Sequence, residues 1–187
     1  DSDSSVSLDI NGTNTHTIKT SGTNVGTLSY SSSDSSVAKV SDKGVITGVG
    51  PGEAKITVKE GNGGSYRTIK VSVVKTLTAT FVKNGAGVEK ISSSKETCKL
   101  TKDNKESCNI TSVPTITVSS GYKALGWNAD KASHTGIMSI TLNSNATFYS
   151  ISKKEDSVLT AIFSSNNGSA TLSKEGSVSC SIKGVYN

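Results

Sequence analysis

Aromatic side chains are scarce in this 187-residue chain, at 5 % of the total: three Phe, five Tyr and one Trp. Methionine occurs once, histidine and proline twice each, and glutamine not at all. The longest apolar runs are three or four residues, far below the roughly 18 that a membrane-crossing helix needs. Such a helix is excluded, and no membrane insertion is expected of this segment. The shortage of Leu, Met and Gln beside plentiful Val, Ile and Thr argues against a helical bundle. Arginine is nearly missing too: of 20 basic residues only Arg67 is an arginine, and the other 19 are lysines. Phosphate and base recognition favours the arginine fork, usually in a local cluster. The net charge of +5 therefore does not point to nucleic acid. The densest stretch, Lys99 to Lys105, contains Asp103 and is followed by Glu106; it reads as a solvated surface. Dispersed lysines also guard sheet edges against unwanted pairing.

What the chain does have is small hydroxyls. It carries 34 Ser and 22 Thr, and alternating apolar residues run between them. In the first part the alternation falls at Leu8/Ile10, Leu28/Tyr30, Val45/Thr47, Ala54/Ile56/Val58 and Ile69/Val71/Val73. Turn signals separate these runs: Asn11-Gly12, Asp42-Lys43-Gly44, Gly50-Pro51-Gly52 and Gly61-Asn62-Gly63-Gly64. Short strands at this spacing predict a β-sandwich. Further strands are expected around Thr78–Phe81, Ile116/Val118, Ile140/Leu142 and Phe148/Ile151.

Three cysteines add to this. Cys98 and Cys108 lie in the polar stretch KETCKLTKDNKESCN, with no second Cys or His pair to complete a zinc site. A disulfide closing this hairpin fits, and it implies an oxidising, extracellular setting; two free thiols in a cytosolic protein are the alternative. Leu77-Thr-Ala-Thr-Phe81 recurs as Leu159-Thr-Ala-Ile-Phe163, an offset of 82 at which Cys98 falls on Cys180. The partner of Cys180 would then fall at position 190. The reading is a chain that stops inside a second copy of a repeat, with intermolecular pairing of Cys180 as the alternative. The expected organisation is a sandwich at 1–75, a small β-rich repeat module at 76–155 and part of a second copy at 156–187. The boundary and a short linker are placed at Lys75-Thr76.

The run YSSSDSSVAKVSDKGVITGVGPGEAKITV, Tyr30 to Val58, resembles the bacterial immunoglobulin-like domain, group 2. Tyr30, Asp34, Val37, Ala38, Val40, Gly44, Val45, Gly48, Gly52, Ala54, Ile56 and Val58 fit its pattern, and the resemblance covers about residues 5–74. It implies an Ig-like β-sandwich of the kind that serves as a spacer or adhesive module in surface proteins and in phage structural proteins. Gly121-Tyr122-Lys-Ala-Leu125-Gly126-Trp127, followed by Ser144-Asn-Ala-Thr147-Phe148-Tyr149, is similar to the Listeria–Bacteroides (internalin B-type) repeat. That resemblance implies a small grasp-like β module of Gram-positive surface proteins. Ser150 stands here where the repeat usually has Ala.

No catalytic, metal-binding or cofactor residue is assigned. His16 and His134 sit in polar segments, and no Gly-x-Ser-x-Gly elbow, phosphate loop or dinucleotide fingerprint occurs. Asp1, Asp3 and Asp9 lack the glycine and terminal glutamate of an EF-hand loop, though a calcium site between modules stays open. A Lys–Asn isopeptide bond also stays open, and an intact-mass loss of one ammonia would reveal it. Asn-x-Ser/Thr sequons at Asn11, Asn109, Asn145 and Asn167 arise by chance in so hydroxyl-rich a chain. Trp127 reads as the core anchor of a small domain; the rival reading makes Tyr122, Trp127 and Tyr149 ligand-facing aromatics. The expected function is a non-catalytic, extracellular stalk, spacer or adhesion segment of a bacterial surface protein, monomeric within a longer chain. The alternatives are a module binding glycan or a host surface protein, and a phage structural protein.

Overall fold

The computed structural model describes residues 4–20, 26–61, 66–163 and 176–182, with the backbone alone for 157–163 and 176–182. Among these residues there are strands and no helices, and so no helix long and apolar enough to cross a membrane. Contacts divide the chain into one compact unit of 1–79, 95–112 and 139–146, and another of 80–94, 113–138 and 147–187.

The first unit opens with β1 (Ser5–Asp9), β2 (Thr15–Thr17), β3 (Leu28–Ser32), β4 (Ala38–Val40), β5 (Val45–Gly48), β6 (Gly52–Glu60) and β7 (Tyr66–Val82). One layer runs β1-β7-β6-β3, with β1 parallel to β7 and the other pairs antiparallel. The other layer is the antiparallel set β2-β5-β4. Because successive strand residues point to opposite faces, Val6 and Leu8, Ala54 and Ile56, and Ile69, Val71 and Val73 turn to one side. They join Val37, Ala38 and Ile46 in a single buried cluster. Burying an Ile or Val side chain fully contributes roughly 1.5–3 kcal/mol, so this cluster is what holds the sandwich closed.

Local chemistry sets the turns. The Asp34 carboxylate accepts from the Ser36 hydroxyl and, at 2.9 Å, from the Ser36 N–H. Those two bonds hold the Asp34 carboxyl below its ordinary range. At the Asp42-Lys43-Gly44 turn the Gly44 N–H reaches the Ser41 carbonyl at 2.9 Å. Gly44 has φ 73°, and the Tyr30 ring lies over it so closely that a Cβ would meet the ring at 3.0 Å. Both the sign of φ and the overlying ring require glycine there. The Gly61–Gly64 turn falls largely outside the described residues.

One expectation is corrected. β7 passes unbroken through Lys75 and Thr76, where a short linker was placed. The reason is periodicity: Leu77, Ala79 and Phe81 are buried on the same odd-numbered parity as Ile69, Val71 and Val73, and no turn residue intervenes. The turn after β1 grips this point. The Asp9 carboxylate accepts from the Thr76 hydroxyl and from the Thr76 N–H at 3.1 Å, while Asn11 Nδ2 donates to the Thr76 carbonyl at 2.7 Å.

Burial alone would raise the Asp9 pKa; the bonds from Thr76 and Asn11 and the Lys99 charge outweigh it and lower the pKa below 3.8. A depressed carboxylate stabilises the fold above its unfolded pKa and loses that contribution as pH falls through the folded value. Asp9→Asn is therefore expected to cost about 1–2 kcal/mol at neutral pH. In urea titrations repeated from pH 6 downward, the gap to the unsubstituted protein should shrink below about pH 4. A pH-independent gap would show that the carboxylate charge is not what matters.

The remaining strands are β8 (Val88–Ile91), β9 (Lys95–Leu100), β10 (Cys108–Asn109), β11 (Ile116–Val118), β12 (Tyr122–Asn128), β13 (Thr141–Leu142), β14 (Ala146–Lys154), β15 (Ser157–Phe163) and β16 (Gly176–Ile182). In the first unit β9 pairs with β7 and β10 with β13. In the second, β8 pairs with β11 and β12 with β14, all antiparallel.

β15 and β16 pair antiparallel, with Leu159 opposite Cys180 and Phe163 opposite Gly176. Earlier in the chain β7 pairs with β9, and the Phe81 N–H donates to the Ser94 carbonyl at 2.8 Å. Phe163 and Gly176 are Phe81 and Ser94 displaced by 82 (163 − 81 and 176 − 94). The Phe163–Gly176 pairing thus repeats, at the offset of the sequence repeat, the backbone bond between Phe81 and Ser94.

Candidate functional site

Cys98 and Cys108 form a disulfide between β9 and β10, with Cα atoms 5.8 Å apart. The loop it closes is organised by Asn104. Its side-chain oxygen accepts from the Thr101 hydroxyl and, at 3.1 Å, from the Thr101 N–H; its Nδ2 donates to the Lys99 and Ser107 carbonyls at 3.0 and 3.2 Å. From this loop Lys102 reaches Glu53 Oε2 at 3.3 Å. Both side chains are more than half exposed, so the ion pair fixes position more than it adds stability.

Phe81, Trp127 and Phe148 of the second unit form a buried aromatic core. Trp127 is 1 % exposed. Its ring meets Phe81 edge-on, centroids 4.7 Å apart, and Phe81 stacks on Phe148 at 5.9 Å. The indole N–H donates to the Pro114 carbonyl at 2.9 Å, which removes the cost of burying it. Trp127 as a ligand-facing ring is therefore corrected: with its edge satisfied and its faces covered, it offers nothing to solvent.

The other two candidate aromatics sit elsewhere. Tyr149 is half-buried and follows the buried Phe148 on β14, so it points to the opposite face from Phe148. Tyr122 is half-buried against Gly87, whose φ is 73°; a Cβ on Gly87 would lie 2.3 Å from the Tyr122 ring. The three rings do not share one exposed surface.

Gly87→Ala is expected to displace the Tyr122 ring and strain a left-handed position, costing about 1–3 kcal/mol. A denaturation midpoint measured for Gly87→Ala and for Tyr122→Ala would check this. The double variant should lose less than the sum of the two singles, because the clash needs both groups.

Ser150 is fully buried, and its hydroxyl is satisfied twice by Asn84. It donates to the Asn84 carbonyl at 2.7 Å and accepts the Asn84 N–H at 2.8 Å. Ser152 makes a matching bond to the Ala86 carbonyl at 2.7 Å. Ser150 thus ties β14 to the chain after β7. No sequence signal marked this, since Ser is everywhere in the chain.

His16 lies in β2 opposite Ile46, and His134 in the loop between β12 and β13. Asp1 and Asp3 lie outside the described residues, and Asp9 is engaged with Thr76 and Asn11. Among the described residues, no group of three or more His, Cys, Asp and Glu is placed to hold a metal ion.

Residues 2–71 match the family model described as bacterial Ig-like domain (group 2). No curated protein matches the chain. Among solved structures, the human protocadherin-24 EC1-2 fragment is similar at 12 % identity and a TM-score of 0.31, over 79 % of this chain and 93 % of that one. Domains 5-6 of the S-layer protein SbsC are similar at 17 % identity and a TM-score of 0.29, over 95 % and 92 %.

Proposed function

We propose that this chain is a non-catalytic, extracellular segment of a bacterial surface protein, acting as a stalk or adhesion module. The observation that carries the reading is the match of residues 2–71 to the bacterial Ig-like model, on a sandwich whose pattern residues turn out to be packing and turn residues. The Cys98–Cys108 disulfide supports an oxidising compartment. On this reading the chain holds an Ig-like domain at 1–75, a repeat module of the internalin B type at 76–155 and the start of a second copy at 156–187. The duplicated strand pairing at the 82-residue offset supports the last of these.

Brief protease treatment of intact source cells, read by mass spectrometry, tests the surface assignment. Release of peptides from this segment, with Cys98 and Cys108 oxidised before lysis, is the expected result. Finding the segment only inside lysed cells, with both thiols reduced, would overturn it. Binding through an aromatic face is the weaker reading, because Trp127 and Phe148 are buried.

A further inference from the structure

The outer face of the β1-β7-β6-β3 layer is a grid of hydroxyls and lysines. Register places Ser5, Lys70 and Lys55 in one row and Ser7, Ser72 and Glu53 in the next. On the other side come Thr68, Thr57 and Ser31, then Tyr66, Lys59 and Ser29. Rows on one face are about 6.6 Å apart and neighbouring strands about 4.8 Å. Lys55 and Lys70 are therefore immediate neighbours, and Lys59 stands two rows away on the same side.

Two like charges directly opposed across a ladder are unfavourable. Edge protection does not account for this pair, because β6 and β7 are interior strands of the layer, flanked by β3 and β1. Glu53, the acid of this grid among the described residues, is already held by Lys102 from the disulfide-closed loop. A depression of about 750 Å³ lies over these rows, lined by Lys55, Lys70 and Glu53, by four serines and by Val6, Ala54 and Val71. Its lining is polar and apolar in about equal parts, and its two lysines outnumber its one glutamate, which Lys102 already engages.

We infer that this face binds a linear acidic polysaccharide. Carboxylates spaced along such a chain would separate Lys55 from Lys70 and meet Lys59, while the serine and threonine hydroxyls bond to sugar hydroxyls. A flat row of short side chains admits a ribbon-like polymer, and ammonium groups bind its carboxylates as point charges without needing the fork of arginine. The inference deepens the adhesion reading by giving it a partner class, but the binding itself does not depend on where the protein is displayed.

The test is affinity electrophoresis and titration calorimetry of the whole chain with polygalacturonate at low ionic strength. Dextran serves as the neutral comparison and duplex DNA as the non-sugar polyanion. Binding to polygalacturonate that weakens with salt, and none to dextran, is expected. The variant K55S/K70S should lose about tenfold or more in affinity, while K39S/K43S, with the same charge removed outside this face, should lose far less. K55R/K70R keeps the charge and should retain binding, and K55S/K70S should keep the circular dichroism spectrum and denaturation midpoint of the parent, so that its loss is not a folding defect. Equal losses in both serine variants, equally tight DNA binding, or no polygalacturonate binding would each overturn the inference. So would a dimer that K55S/K70S abolishes while the polymer is ignored. Failure here leaves protease release from intact cells unaffected, so the two readings fail separately.

Discussion

Trp127→Ala is expected to be the most damaging single substitution in the second unit, at about 3–5 kcal/mol. Three losses coincide at this residue. The edge-on contact with Phe81 disappears, the Pro114 carbonyl loses its indole donor, and a cavity opens in a core with few rings to collapse into it. Trp127→Phe should recover much of the packing but not the hydrogen bond, and should fall between the two. Because the chain has one tryptophan, the parent protein reports on this site directly. Its emission should be blue-shifted and poorly quenched by iodide until the second unit unfolds. Denaturant curves by far-ultraviolet circular dichroism rank the three proteins. A loss below about 1 kcal/mol for Trp127→Ala would show that the ring is not an anchor.

Removing the Cys98–Cys108 disulfide is expected to cost about 2–3 kcal/mol. Closing a loop of 10 residues removes that much freedom from the unfolded chain on the loop-entropy model. The native side loses little, since Asn104 still bonds to Thr101, Lys99 and Ser107 across the loop. The effect should therefore appear as a lower denaturation midpoint with native circular dichroism, whether by reductant or by Cys98→Ser with Cys108→Ser. An unchanged midpoint would mean that the unfolded loop is already constrained by its own bonds.

The first unit was largely legible before its structure. Alternation located β1, β3, β5 and β6 to within a few residues, and the family pattern marked Tyr30 and Gly44, which the structure shows stacked on each other. The disulfide followed from spacing. Three features did not follow. β9 reads Lys-Glu-Thr-Cys-Lys-Leu, with too few apolar residues for periodicity to register; it is a strand because β7 offers it a partner. The length of β7 does not follow because Lys75-Thr76 has the chemistry of a junction, whereas the buried parity simply continues through it. The Lys55–Lys70 pair was invisible because composition says which residues lie on a face but not which stand opposite one another. That is a property of register.

The topology of the first sheet has a mechanical consequence. β1 opens the described chain, and it runs parallel to β7, with Ser5 to Asp9 paired in order to Lys70 through Val74. Tension pulling the chain ahead of β1 away from the chain beyond β7 would act along both strands in opposite senses. The bonds between them would be loaded together in shear rather than opened one after another from an end. Asp9 and Asn11, by holding Thr76, extend that seam past the last ladder pair. A module joined in this way resists extension along its chain better than its modest core would suggest.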